Sequence, residues 1–191
     1  MPQVKKDDVR SAILKATFSL VSEKGYVGAS MTQIARQAGI SNANIYIYFG
    51  AKIDIFFCLY EQWLKEKVER LEEQVREASA PREKLHVLFN GLFRQIPQLD
   101  NGFANNLIQA ISTIGPEDPY HPELVEWFES RIGEILKTAI PSLHKSPAKR
   151  KRLAHFIVMV FDGCVVNYRV NHASLPEAVL INELTELFAL E

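Results

Sequence analysis

The chain has 191 residues, 47% of them hydrophobic, and a formal net charge of −1. No apolar run approaches the roughly 20 residues of a membrane-spanning helix, and the opening MPQVKKDDVR is too polar for a secretion signal, so a cytoplasmic protein with no membrane partner is expected. The charge is unevenly spread: residues 1–52 are net +4 and residues 53–191 net −5, the pattern of a basic end that meets a polyanion and an acidic body that does not.

Val9, Ala12, Ile13, Ala16, Leu20 and Val21 recur at helical spacing. They predict a first helix from about Asp7 to Lys24, stopped near Gly25, with Asp7 and Asp8 suiting its positive N-terminal end. Ser30 and Gln33 have the spacing of a capping box, so a second helix begins at Met31. Gly39 ends it, because glycine enters the left-handed conformation without steric cost. Ser41 caps a third helix carrying Asn42, Asn44, Ile47 and Tyr48. Two short helices joined by a glycine turn make a helix-turn-helix, whose second helix enters the major groove of DNA.

A long helix follows Lys52. Phe57, Tyr60, Leu64, Val68, Leu71, Val75 and Ala78 form its narrow apolar stripe, and Ser79-Ala80-Pro81 ends it. Five more helices are predicted at about 82–96, 101–114, 121–139, 147–171 and 176–190, with breaks at Pro97, Gly115-Pro116, Pro141 with Pro147, and Ser174 to Pro176. The expected fold is therefore all-α, with about nine helices. It divides into a helix-turn-helix domain of residues 1–52 and a helical domain of residues 53–191, joined through the long helix.

With these residues in place, the first 60 or so positions resemble the TetR family of bacterial transcriptional regulators. The matching pieces are AILKATFSLVSEKGY, then ASMTQIARQAGIS, then IYIYFGAK opening the long helix. The chain departs from the family pattern at Ala43, where glycine is common, at Ile45, where Leu or Val is common, and at Ile53, where an acidic residue often follows the lysine. The resemblance implies double-stranded operator DNA as one partner, a small-molecule effector bound in the C-terminal domain as another, and a homodimer. Two recognition helices must in any case reach half-sites about one helical turn apart.

DNA binding needs contacts that position and contacts that specify. Thr32, Tyr46, Tyr48 and Lys52 are the candidates for phosphate. Lys52 stands in the first turn of the long helix, where backbone N–H groups also favour an anion, and the resemblance puts Tyr48 and Lys52 on the DNA backbone. Tyr46 could instead be a core residue with only its hydroxyl exposed. Asn42, Ala43 and Asn44, with Gln37 at the edge, are the candidates for bases. Asparagine can pair with adenine, although Asn42 could equally cap its own helix, and Ala43 can meet a thymine methyl. No arginine lies in this helix, so the commonest guanine contact is missing from it.

In the second domain, Phe89, Phe93, Phe103, Leu107, Trp127, Phe128 and Phe161 could line an apolar effector cavity or simply fill a core. Asp162 interrupts an apolar helix and faces either that cavity or a dimer seam; a buried carboxylate needs a partner. Phe156, Val160, Cys164 and Tyr168 on one helix, and Leu180, Leu184, Leu187 and Phe188 on the last, are the candidate seam, with intramolecular core as the other reading. The basic run Lys149-Arg150-Lys151-Arg152 reads as a solvated helix start.

Cys58 and Cys164 are far apart and the five histidines are scattered, so neither a disulfide framework nor a metal site is expected. There is no glycine-rich phosphate loop and no nucleophile motif, so neither a cofactor nor catalysis is expected. The leading reading is a ligand-responsive repressor whose long helix moves when an apolar or amphipathic compound binds. The alternative is a helical adaptor with a vestigial DNA module.

Overall fold

The computed structural model describes residues 6–99, 102–115, 122–170 and 176–189. These residues are helical and connecting segments, with no strand among them. The helices are α1 (Lys6–Gly28), α2 (Met31–Gln37), α3 (Asn42–Tyr48), α4 (Lys52–Glu77), α5 (Pro81–Asn90), α6 (Ile96–Gln98), α7 (Phe103–Ile111), α8 (Glu123–Ala139), α9 (Pro147–Val170) and α10 (Ala178–Ala189). No helix among the described residues is long and apolar enough to cross a membrane.

Local signals account for most boundaries. Gly25 takes φ 74° and breaks the helical path inside α1, close to the expected stop. The expected break at Pro97 is not found. Residues Gly91–Gln95 form a π turn that joins α5 to α6 without interruption, with the Ile96 amide bonded to the Gly91 carbonyl. Proline has no N–H to donate, so its place beside a widened turn removes no further donor from the helix. A 3₁₀ turn at Pro141–Lys145, unannounced in the sequence, leads into α9.

The chain packs as two units. The first contains α1 to α3, the start of α4 through Leu64, and α7; the second contains the rest of α4 from Lys65, with α5, α6, α8, α9 and α10. The division thus falls within the long helix, twelve residues beyond the expected boundary, and the segment 102–115 belongs with the DNA-reading end rather than with the second domain.

In the first unit Ile13, Ile34, Ile45, Ile55 and Phe56 are fully buried. Phe56 meets Tyr26 edge-on at 5.4 Å, and Phe103 of α7 lies 5.8 Å from Phe18 and 5.4 Å from Trp63. In the second unit Leu85, Leu88, Leu92, Ile132 and Leu136 make the aliphatic centre. Gly91 is buried where a β-carbon would overlap the Leu71 side chain, so the absence of a side chain sets how closely α4 and the π turn approach.

Candidate nucleic-acid interface

The helix-turn-helix forms as its caps dictate. Ser30 Oγ accepts from the Gln33 amide at 3.3 Å, and Gln33 Oε1 accepts from the Ser30 amide at 3.0 Å. Gly39 takes φ 72°, and the Ile40 amide reaches the Ala35 carbonyl at 3.0 Å to close α2. Ser41 Oγ then accepts from the Asn44 amide at 3.2 Å. Ser41, not Asn42, is thus the N-cap of α3. Ile45 and Phe49 are buried and seat α3 on the unit, Phe49 lying 5.2 Å beneath the Arg10 guanidinium.

What this leaves outward is Asn42, Ala43, Asn44, Tyr46 and Ile47, with Tyr48 half-buried. Tyr46 is 52% exposed, so its ring is not core. Thr32 and Gln37 on α2 are exposed as well. Thr32 Oγ1 donates to Asn42 Oδ1 at 3.3 Å, tying α2 to the first turn of α3 and leaving the Asn42 amide N–H₂ to donate outward.

Lys52 is placed differently from expectation. Its ammonium donates to the carbonyls of Tyr26 at 2.7 Å and Ala29 at 2.8 Å, and lies 4.1 Å from the centre of the Tyr26 ring. Burial lowers its pKa from the ordinary lysine value. Two of its three donors thus serve the α1–α2 link, and its geometry is that of a clamp on the module rather than of a free phosphate contact.

A second clamp was not foreseen in the sequence. The Tyr26 amide donates to Asn106 Oδ1 at 2.7 Å and the Val27 amide to Gln109 Oε1 at 3.2 Å. Asn106 in turn donates to the Gly102 carbonyl at 2.9 Å. The break at Gly25 frees these two N–H groups from the helix, and side chains of α7 satisfy them. The available signal was a polar pair, Asn106 and Gln109, three residues apart on one face of a mostly apolar helix.

The residues proposed for an effector cavity divide between the units. Phe103 and Leu107 lie on α7 in the first. Phe89, Phe93, Trp127, Phe128 and Phe161 lie in the second, where they pack on one another and their neighbours. Phe89 stacks on Phe93 at 5.7 Å, and Phe128 meets Phe161 edge-on at 5.2 Å. Trp127 is half-buried beneath Lys65, 5.3 Å from its ammonium.

Asp162 does not turn inward beside Phe161. It stands on the exposed side of α9 with Met159 one turn before it and Val166 one turn after. Its carboxyl keeps an open edge to solvent, yet the protein atoms crowding it raise its pKa to about 6 by desolvation.

Of the seam candidates, Phe156, Leu180 and Leu187 are exposed, while Val160, Cys164, Tyr168 and Leu184 are half-buried. Phe188 is a correction: it is buried within the unit, edge-on to Phe89 at 5.0 Å. Exposed apolar residues that sequence reasoning missed are Met159, Val166 and Val170 on α9 and Val179 on α10.

Comparison with known proteins gives these features a family. Residues 13–58, from α1 into α4, match the model described as bacterial regulatory proteins, tetR family. The fatty acid metabolism regulator protein of Bacillus subtilis is 33% identical over 177 residues, covering 92% of this chain and 91% of that protein. The structure of the fatty acid degradation regulator FadR from Bacillus halodurans superposes with a TM-score of 0.64 at 22% identity, over 99% of this chain and 97% of that one. The transcriptional regulator FadR from Bacillus subtilis, solved in complex with stearoyl-CoA, gives 0.63 at 22% identity over 94% and 97%. The structural likenesses speak for the fold; identity sustained along nine-tenths of two whole chains goes further. The chain belongs to the tetR family of bacterial regulatory proteins and is a DNA-binding transcriptional regulator rather than an enzyme.

Proposed function

We propose that this regulator is a homodimeric repressor that leaves its operator when a long-chain acyl thioester binds its second unit. The observation that carries the effector class is the identity of 33%, over nearly the whole length of both chains, to a fatty acid metabolism regulator. The complex of a similarly folded regulator with stearoyl-CoA supports the same class. The chemistry is compatible: the second unit is built from phenylalanine, leucine and isoleucine, the surroundings an acyl chain needs. Each methylene buried contributes about 0.8 kcal/mol. The effector shifts operator binding only by its differential affinity for the two states of the protein.

On the DNA side, Asn42, Ala43 and Asn44 face bases with Gln37 at the edge, and Thr32, Tyr46 and Tyr48 meet phosphates. Lys52 acts through the α1–α2 link that it holds. The dimer forms through the exposed faces of α9 and α10, where Phe156, Met159, Val166 and Val170 line one helix and Leu180 and Leu187 the other. An apolar strip of that extent on a soluble protein is an interaction surface.

The test is fluorescence anisotropy with duplex DNA selected by the protein from a random pool, titrated with stearoyl-CoA, with CoA, and with stearate at fixed salt. Release by stearoyl-CoA alone is expected. If none of the three changes the anisotropy while the DNA is bound, the acyl-thioester reading fails.

A further inference from the structure

We propose that α3 reads thymine through its C5-methyl group, and that Ile47, with Ala43 one turn before it, is the specificity-determining residue.

The argument begins with the orientation of α3. Ile45 is fully buried and Phe49 nearly so, and together they define the side of the helix turned into the unit. At 100° per residue, the direction opposite to these two is shared by Ala43 and Ile47. Asn44 and Tyr46 lie to either side of that line. The part of α3 that projects furthest is therefore not polar; it is a methyl group and a branched butyl group in line along the helix.

Exposure agrees with this placement. Ile47 is 69% exposed, the most exposed of the large apolar residues on α2 and α3. Scattered apolar residues on a surface are ordinary. Ile47 differs in standing at the middle of the outward face of the helix that enters the groove. Isoleucine gives that helix no capping, no charge and below-average helix propensity, so folding gains nothing from it there. Its β-branching does confine χ1 to one strongly preferred rotamer, so the side chain is held ready and loses little freedom on contact.

The chemistry of the groove selects the partner. Among the groups a base pair presents in the major groove, the thymine C5-methyl is the apolar one; the rest are hydrogen-bond donors and acceptors. A branched alkyl group pressed on guanine O6 or adenine N6 would strip water from it and return no hydrogen bond, which is unfavourable. The helix has no arginine or lysine to take guanine. Asn42 is partly occupied by Thr32, which leaves Asn44 as the unconstrained amide beside the apolar line. The combination favours adenine–thymine pairs, with thymine methyls under Ala43 and Ile47 and an asparagine beside them.

This inference rests on α3 being the groove helix. The experiment separates a failure of that premise from a failure of the inference. Duplex DNA selected by the full-length protein from a random pool is resynthesised with each thymine replaced in turn by deoxyuridine, which removes the methyl and keeps every hydrogen-bonding group. Affinities are measured at one salt concentration for the wild type, Ile47→Ala and Asn44→Ala, all shown folded by circular dichroism.

At one or two positions per half-site, deoxyuridine is expected to weaken the wild type by about three- to tenfold. Ile47→Ala should bind the thymine duplex more weakly by a similar factor and be insensitive to deoxyuridine at one of those positions. If Ile47→Ala keeps the full deoxyuridine penalty at every position, Ile47 does not read the methyl and the proposal is wrong. If no deoxyuridine substitution matters while Asn44→Ala still weakens binding, α3 enters the groove but reads no methyl, and the proposal is equally wrong. If neither α3 substitution changes affinity, the premise itself has failed.

Discussion

Replacing Lys52 by methionine keeps the stem of the side chain and removes the ammonium. Two carbonyls, of Tyr26 and Ala29, then lose their donor, and both residues are almost fully buried, at 3% and 1% exposure. A hydrogen bond to a charged group contributes about 1.5–3 kcal/mol. The pair would contribute roughly twice that, less the cost of taking the ammonium partly out of water. The same cost is visible in its lowered pKa. A net loss of about 3 kcal/mol follows, which for a chain of this size lowers Tm by about 6–12 °C.

The assay is a thermal melt paired with a salt titration of DNA affinity. A clamp predicts the lower Tm and weaker binding at every salt concentration, with the slope of log K against log salt unchanged, because no phosphate contact is removed. A phosphate contact predicts the reverse: an unchanged Tm and a slope smaller by about 0.9. The second outcome would refute the structural assignment of Lys52 and restore the role that its motif suggests.

Three further outcomes follow from the second unit. Gly91→Ala should destabilise by about 1–3 kcal/mol through overlap with Leu71, and Leu71→Ala in the same chain should recover part of the loss; wild-type stability for the single variant in urea would contradict the close approach. Phe188→Ala should cost about 3–5 kcal/mol in a denaturant melt. Leu187→Ala, 62% exposed, should leave the protomer within about 0.5 kcal/mol and shift sedimentation toward a smaller species, so equal effects of the two would undo both assignments.

Asp162 titrates near 6 in the folded chain against an ordinary value of 3.8. Between those values the native state holds a proton that the unfolded state releases, so stability falls as pH rises through the window. Asp162→Asn should therefore raise Tm above pH 6, with the gain fading toward pH 4. The open edge of the carboxyl keeps the gain below that of a fully buried group. An equal gain at pH 4.5 and pH 8 would rule the account out.

What the sequence by itself determined was local. Ser30 with Gln33, Gly39 and Ser41 mark the ends of α2 and α3 because a cap is a contact between residues three or four apart, written in adjacent letters. The apolar stripe of α4 was legible for the same reason, since burial on a helix repeats every three or four residues. Tertiary structure decided where side chains with more than one suitable partner went. Lys52 carries a charge that phosphate or carbonyl oxygens can equally accept, and only the folded chain brings the Tyr26 and Ala29 carbonyls to it. Asn106 and Gln109 find their donors about eighty residues away. Phe188 and Leu187 are neighbours of similar hydropathy; the rotation of α10 against α5 buries one on Phe89 and leaves the other in solvent. Periodicity identifies an apolar face, but whether the chain itself or a second copy covers it depends on contacts between residues far apart in the sequence.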